Sequence, residues 1–291
     1  MSPESVNKLT VKDYKTDLKP VWCPGCGDYG VLNALYRAMA QLQLEPWNTV
    51  VLSGIGCSSR LPGYVATYGF NSIHGRALAI ATGVKTARPD LHVIAVGGDG
   101  DGMAIGGNHF MHACRRNLDV AYILMDNEIY GLTKGQTAPT TPTGDKTKSS
   151  YYGNPEPAVD PVELAISVGA TWVGRGYSGD MKTLTKLMVE AIEHKGFAFL
   201  NVISPCVTFR GDHQFKEIKA KLRYLPEDHD VTDRTAALRY VREKDAVTTG
   251  VLYRVQEPTL GDRLEEIRRT AQGDGSPPST EDIINSFMPL S

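Results

Sequence analysis

The folds open to this chain are limited above all by two apolar stretches that each end in polar residues. The first begins at His92 and ends in the glycine-rich run Gly97–Gly102, and the second begins at Ala121 and ends in Asp126-Asn127. The carboxyl ends of parallel strands lie at one edge of a sheet, and glycines in the turns there allow a phosphate to approach the backbone closely. Carboxylate and amide oxygens are ligands that Mg²⁺ prefers. The pair predicts a site for a magnesium-bound diphosphate, whereas the glycines alone would indicate only a strand-to-helix turn.

Strand-like and helix-like segments alternate over residues 1–210, which predicts a doubly wound α/β fold with a parallel sheet covered on both faces. A nicotinamide-binding Rossmann fold fits less well, because its glycine motif normally opens the first βα unit. Residues 211–291 lose the alternation and are predicted to form an irregular extension that packs on the core or on a partner. The predicted strands are Thr49–Ser53, His92–Gly97, Ala121–Met125, Ala170–Gly174 and Phe199–Ile203, and helical patterns lie near 28–42, 74–88, 105–116, 160–168 and 180–194.

Composition sets limits on partners and location. The 291 residues are 41% hydrophobic, enough for one sizeable α/β core with an appended segment. A formal charge of −2 gives no electrostatic reason to expect nucleic acid or an anionic membrane surface as a partner. No run of about 18 apolar residues is present, and the first residues lack the apolar run of a secretion signal. The sequence therefore predicts a cytoplasmic protein.

Five cysteines form the second informative set. Cys114 lies at helical spacing from Phe110 and Met111, which indicates a core thiol. A disulfide framework is not expected in a large cytoplasmic chain, and no convincing strand precedes the CxxC pair, as thioredoxin-like exchange would require. Thiolates from separate loops suit either Zn²⁺ or a [4Fe–4S] cluster, and their spacing does not choose between them. The candidate ligands are Cys23, Cys26, Cys57 and Cys206.

The motifs resemble those of known enzymes. Gly98-Asp99-Gly100 followed by Asn127 is similar to the signature of thiamine diphosphate enzymes. The stretches 22–27, 54–59, 74–77 and 98–101, together with 130–136 and Cys206, resemble the β subunit of 2-oxoacid:ferredoxin oxidoreductases. The resemblance covers most of residues 15–210. It implies a sheet of the thiamine diphosphate-binding type and one [4Fe–4S] cluster on the four candidate cysteines.

The resemblance also implies roles for individual residues. The side chains of Asp99 and Asn127, with the Ile129 carbonyl, would hold Mg²⁺ on the diphosphate. His74 would face the reactive part of the cofactor or the substrate carboxylate, although it could instead be only the start of a helix. The implied cofactor-binding residues are Ile55, Gly56, Cys57, Ser58, His74, Gly98, Asp99, Gly100, Asp101, Asn127, Ile129, Tyr130, Gly131, Leu132 and Thr133.

Residues 132–136 resemble the 2-oxoglutarate-type or broad-specificity members of this family. Lys134 and Arg60 would accommodate the distal carboxylate of a dicarboxylic substrate, although each could be a solvated surface charge. The implied reaction is the oxidative decarboxylation of 2-oxoglutarate with coenzyme A to succinyl-CoA, with electrons passed through the cluster to ferredoxin. It could also run as reductive carboxylation. The alternatives are a broad-specificity or pyruvate-type enzyme of this family, a component of a non-redox thiamine diphosphate enzyme, and a binding or regulatory subunit with a structural zinc.

One part of the thiamine machinery is missing from the sequence. Thiamine enzymes place a Glu against the aminopyrimidine, and this Glu comes from a separate pyrimidine-binding domain. A chain of 291 residues with one α/β core leaves no room for that domain. The resemblance therefore implies a larger α subunit that supplies the catalytic Glu in a dimer of heterodimers, and a ferredoxin that docks near the cluster.

Overall fold

The computed structural model describes residues 8–243, 245–272 and 278–288. The strands are β1 Thr49–Ser53, β2 Tyr68–Asn71, β3 His92–Gly98, β4 Val120–Asp126, β5 Ile129–Tyr130, β6 Gln136–Thr137, β7 Trp172–Tyr177, β8 Phe197–Ile203, β9 Leu222–Tyr224 and β10 Val247–Arg254. The α-helices are α1 Asp28–Leu42, α2 Ala77–Ala87, α3 Gly107–Arg116, α4 Pro161–Ser167, α5 Met181–Glu193, α6 Val207–Arg210, α7 His213–Lys221, α8 Arg234–Val241, α9 Leu260–Gln272 and α10 Thr280–Ser286. No helix within these ranges has the length and apolar character needed to cross a membrane.

Eight strands form one twisted sheet in the order β2-β1-β3-β4-β8-β7-β10-β9. Neighbouring strands run parallel except β10, which pairs antiparallel with β7. β5 and β6 form a separate two-stranded hairpin directly after β4. The carboxyl ends of β1, β3 and β4 therefore lie side by side at one edge of the sheet, as the sequence predicts.

Helices cover both faces of the sheet, which confirms the doubly wound α/β fold. On one face α1 and α5 contribute buried residues such as Leu35 and Met188, which pack on Val96 and Ile123 of the central strands. On the other face α2, α3, α4 and α8 pack around Phe110. All seven residues of β4 are buried, so this strand is an uninterrupted apolar run rather than an alternating one.

The five predicted strands and five predicted helices are all present, with ends that differ by a few residues. Strand β2 was not predicted, because this edge strand has only four residues and is exposed along its whole length. The segment after residue 210 is more regular than predicted. It forms helices and the strands β9 and β10, and β10 continues the same sheet.

Candidate functional site

A cavity of about 100 Å³ lies at the carboxyl ends of β1, β3 and β4. Its lining comes from the turns that follow these three strands and from the segment that leads into α2. Every residue that the sequence predicts to bind the cofactor lines this cavity, and two further residues, Asp28 and Met125, line it as well. The structure thus gathers motifs that are up to about a hundred residues apart into one place.

Asp99 is a buried carboxyl to which no basic side chain of the described residues is bonded. Only 1% of its surface is exposed, and the Thr140 hydroxyl donates to its Oδ2 at 2.6 Å. Burial and the nearby charge of Asp126 hold the pKa of Asp99 well above its ordinary value. Asn127 lines the same cavity, and its Oδ1 accepts from the Ile129 amide at 3.1 Å. A buried carboxylate beside an amide oxygen suits a divalent cation, which would offset the crowded negative charge.

Ser58 gives an independent sign that the cavity holds a polar group. Its hydroxyl lies in the cavity lining, is buried, and has no hydrogen-bond partner in the described part of the chain. Buried hydroxyls are usually paired, so this one fits a site for a ligand with polar atoms. The glycines of the site keep the surrounding turns close together. A Cβ on Gly100 would overlap the Tyr130 ring, whose hydroxyl donates to the Gly100 carbonyl at 2.9 Å.

Asp101 organises the two loops that flank the glycine-rich turn. Its Oδ1 accepts from the backbone amides of Ile55 at 2.9 Å and Gly75 at 2.7 Å. The same oxygen lies 2.7 Å from His74 Nδ1, which fixes the orientation of the imidazole. The His74 ring also packs edge-on against Tyr130, with 6.1 Å between ring centroids. Nε2 of His74 is therefore the imidazole nitrogen that remains available to contact a ligand.

A second cavity, of about 210 Å³, lies beside the first and is lined by Cys23, Cys26, Cys57 and Cys206. The two cavities share four lining residues: Cys57, Asn127, Gly131 and Leu132. Cys114 is fully buried in the core on the other face of the sheet, which confirms its prediction as a core thiol.

The cysteine cavity brings four thiols from three separate segments to one place. In residues 8–243, 245–272 and 278–288, no three His, Cys, Asp or Glu side chains are close enough to hold a single metal ion. Four thiolates on one Zn²⁺ would lie about 3.8 Å apart, as a tetrahedron with Zn–S bonds of about 2.3 Å requires. Burial raises the pKa of Cys57 to about 12 and also raises the pKa values of Cys26 and Cys206. Such thiols stay protonated unless a metal centre binds them as thiolates.

Asp28 is a site residue that the sequence analysis did not identify. It is the first residue of α1 and is almost fully buried, and the Ser204 hydroxyl donates to its Oδ1 at 2.7 Å. Its Oδ2 has no hydrogen-bond partner among the residues that the structure describes, although Asp28 lines the first cavity. Burial raises the pKa of Asp28 to about 6. Acidic residues are common in the first turn of a helix, where they interact favourably with the helix dipole, so Asp28 did not stand out in the sequence. The one available signal was its position two residues after Cys26.

The predicted substrate cations lie apart from the first cavity. Arg60 is exposed and lines the cysteine cavity. Lys134 lines neither cavity; it has a left-handed backbone with φ +82°, and its amide donates to the Gly131 carbonyl at 3.1 Å. Their roles as substrate ligands stay predictions. Two larger, open cavities lie against α9 near the amino ends of the strands, away from these motifs.

A long loop follows β6, over residues 138–160, and is held by its own polar side chains. Asn154 donates through Nδ2 to the carbonyl of Thr141 at 2.8 Å, and the Thr137 hydroxyl contacts the hydroxyls of both Thr147 and Ser150. The first part of the loop reaches the site, because Thr140 contacts Asp99 and the Thr141 hydroxyl donates to the Glu128 carbonyl at 2.6 Å.

Comparisons with known proteins agree with this geometry. Residues 54–202 match the thiamine pyrophosphate enzyme C-terminal TPP-binding domain, and residues 206–269 match the C-terminal region of the pyruvate ferredoxin oxidoreductase β subunit. The chain is 40% identical over 284 residues to 2-oxoacid:ferredoxin oxidoreductase 2, subunit beta, of Aeropyrum pernix, covering 93% of this chain and 91% of the relative. It is 38% identical over 251 residues to the 2-oxoglutarate synthase subunit KorB of Methanocaldococcus jannaschii, covering 86% and 93%.

A solved structure is similar along nearly the whole chain. This is the 2-oxoglutarate:ferredoxin oxidoreductase from Magnetococcus marinus with 2-oxoglutarate, coenzyme A and succinyl-CoA bound. The TM-score is 0.93 at 41% identity, and the match covers 98% of each chain.

Proposed function

Since the chain belongs to the β subunits of the 2-oxoacid:ferredoxin oxidoreductases, we propose that it serves in a 2-oxoglutarate:ferredoxin oxidoreductase. The complex would convert 2-oxoglutarate and coenzyme A to succinyl-CoA and carbon dioxide, reversibly, with electrons passed to ferredoxin. The observation that carries the proposal is the pair of adjoining cavities. One is lined by the diphosphate-binding motifs and the other by four cysteines, and they share Cys57. Relatives named for 2-oxoglutarate support this choice of substrate.

The first cavity would hold thiamine diphosphate, which supplies the electron sink that allows a 2-oxo acid to lose carbon dioxide. Asp99, Asn127 and the Ile129 carbonyl would hold Mg²⁺ on the diphosphate, and the cation would compensate the charge that raises the pKa of Asp99. The Ser58 hydroxyl, which has no partner among the described residues, would contact diphosphate oxygens, together with backbone amides of the glycine turn.

His74 is the proposed proton-handling group. Because Asp101 occupies Nδ1, the imidazole is held in one orientation, with Nε2 left to hold or move a proton at the substrate. Arg60 and Lys134 would bind the distal carboxylate of 2-oxoglutarate. This requires Lys134, which is exposed in a short turn, to reach inward when substrate is present.

The second cavity would hold one [4Fe–4S] cluster on Cys23, Cys26, Cys57 and Cys206. Four cysteine side chains lining one cavity support a bound metal centre, and the likeness to subunits of ferredoxin-reducing enzymes supports a cluster over Zn²⁺. Because Cys57 lines both cavities, the thiamine site and the cluster would be direct neighbours.

A larger α subunit would complete the thiamine site. No Glu is among the lining residues of the first cavity in the described part of the chain, so the acid that contacts the aminopyrimidine must come from elsewhere. Exposed apolar side chains lie close in sequence to the residues lining this cavity, as an interface would require; they are Ile55, Tyr68, Phe70 and Ile73, with Ile73 75% exposed. We expect a dimer of heterodimers in the cytoplasm, with ferredoxin docking near the cluster.

The test is anaerobic purification of the chain with its partner subunit, followed by iron analysis and EPR spectra before and after 2-oxoglutarate and coenzyme A are added. We expect about four irons per chain and a reduced-cluster signal that depends on both substrates. Cys206→Ala should lose the iron, whereas the matched variant Cys114→Ala should keep it. Zinc in place of iron would overturn the redox function, and reduction by pyruvate alone would overturn the choice of substrate.

A further inference from the structure

Arg210 is bonded to two carboxylates from separate segments. Its Nη2 lies 2.9 Å from Glu128 Oε2, beyond the end of β4, and 2.8 Å from Asp145 Oδ2, in the long loop. The side chain is only 14% exposed, and its backbone amide donates to the carbonyl of Cys206 at 3.0 Å. One residue thus links the long loop, the turn after β4 and the segment of a candidate cluster ligand.

Glu128 lies between Asn127 and Ile129, two of the proposed magnesium ligands. Its φ is +57°, a left-handed conformation that costs a non-glycine residue about 1–2 kcal/mol. The turn is held from outside by Arg210 on the side chain and by Thr141 on the carbonyl. A turn that stores strain keeps its shape only while such contacts persist.

Asp145 extends the same linkage to the loop that reaches Asp99. Its carbonyl accepts from the Asn154 amide at 2.8 Å, and Asn154 in turn bonds the Thr141 carbonyl. Thr140, next in the chain to Thr141, donates to Asp99. The contacts of Arg210 therefore connect it, through the turn after β4 and through the long loop, to all three proposed magnesium ligands. Arg210 itself lines neither cavity.

We propose that Arg210 is a positioning residue that holds the Asn127–Ile129 turn in the shape needed for Mg²⁺ and joins it to the Cys206 segment. The inference rests on the proposed thiamine diphosphate site. An arginine suits this position because its guanidinium stays charged while mostly buried, and its Nη2 carries two N–H groups that can donate to two carboxylates at once. A lysine would keep the charge but place it on a compact ammonium with a different reach.

The test uses the full chain purified with its partner subunit and stripped of Mg²⁺. Mg²⁺ is titrated at fixed thiamine diphosphate, and binding is followed by calorimetry. We expect Arg210→Gln to raise the half-saturating Mg²⁺ concentration about 10-fold or more, the usual effect of removing a group that orients a metal ligand. Arg210→Lys should fall between this variant and the wild type. Arg242→Gln, which breaks an exposed pair with Glu163 remote from the site, is the matched control and should leave the value unchanged.

Two single-contact variants keep the test informative if Arg210→Gln does not fold. Glu128→Gln removes the contact to the turn and should raise the half-saturating Mg²⁺, whereas Asp145→Asn removes only the contact to the loop and should have a smaller effect. Combining Arg210→Gln with Glu128→Gln should raise the half-saturating Mg²⁺ concentration little more than the single variants do, because both substitutions remove the same contact. A lower melting temperature with unchanged Mg²⁺ dependence, in Arg210→Gln or Glu128→Gln, would overturn the inference. If the wild type binds no thiamine diphosphate with Mg²⁺, the proposed function itself fails.

Discussion

Gly54 begins the turn after β1 and lies directly against the buried carboxyl of Asp101. A Cβ at this position would overlap both carboxylate oxygens, so Asp101 would have to move and release the loops that it bonds. We expect Gly54→Ala to destabilise the chain by about 2–4 kcal/mol. Gly83→Ala is the matched control: Gly83 lies inside α2 with nothing near its missing Cβ, and alanine there should stabilise by about 0.5–1 kcal/mol. Urea unfolding midpoints of both variants check the prediction, and similar losses would contradict it.

Asp99 should show opposite effects on stability and on cofactor binding. Its carboxyl is buried near Asp126, and no basic side chain in the described part of the chain is bonded to it. Asp99→Asn therefore removes a carboxyl whose charge is unfavourable here, while keeping an oxygen for the Thr140 hydroxyl. Without metal, we expect the variant to melt a few degrees above the wild type. It should also lose the melting shift that Mg²⁺ and thiamine diphosphate give the wild type. Differential scanning fluorimetry with and without both ligands measures the two effects, and a retained shift would rule Asp99 out as a magnesium ligand.

The sequence was a good guide to residues that belong to contiguous motifs and a poor one to isolated residues. The predicted cofactor residues all line one cavity, because glycine-rich turns and strand ends have few conformations. Asp28 and Arg210 were missed because their importance comes from partners distant in sequence: Ser204 for Asp28, and Glu128 and Asp145 for Arg210. No local pattern encodes such contacts.

At the level of single elements, the strands buried on both faces were predictable and those at the rim of the sheet were not. β1, β3, β4, β7 and β8 are buried almost throughout, between helices on both faces of the sheet. β10 has an irregular register between Val251 and Tyr253, and its Gly250, in the middle of the strand, has φ +131°, so the alternation expected of a regular strand is interrupted. It takes its place by pairing with β7, a contact between segments about 75 residues apart.

The C-terminal end of α5 should make stability depend on pH. Its capping residue His194 is partly buried, with Nε2 2.8 Å from the Thr171 hydroxyl, and burial lowers its pKa to about 4. The unfolded chain, with an ordinary pKa near 6.5, therefore takes up this proton before the folded chain does, and stability falls as pH drops from about 6.5 to 4. Allowing for partial exposure, the loss is about 2 kcal/mol.

His194→Gln should remove this part of the pH dependence while keeping a hydrogen bond to Thr171. Urea unfolding of the wild type and the variant at pH 7.5 and pH 5 gives the difference directly, because other titrating groups affect both proteins alike. The exposed His213, replaced by Gln, is the control and should leave the difference unchanged. An equal loss in the wild type and in His194→Gln would contradict the assignment.

For the whole molecule, the question is whether the segment after residue 210 is separable from the cofactor-binding core. β10 pairs along β7, and its Leu252 and Tyr253 are buried in the core on one face of the sheet. The described residues beyond α9, from 278 to 288, are all exposed.

We therefore expect truncation after residue 243, which removes β10, to abolish cooperative unfolding. The free energy lost with this buried strand would exceed the few kcal/mol by which domains of this kind are stable. Truncation after residue 272 should leave the melting temperature within about 2 °C of the full chain. Both truncated chains are compared with the full chain by thermal melting after purification with the partner subunit. A chain ending at 243 that melted cooperatively near the full-length temperature would mark the C-terminal segment as an appendage, consistent with the boundary predicted at residue 210.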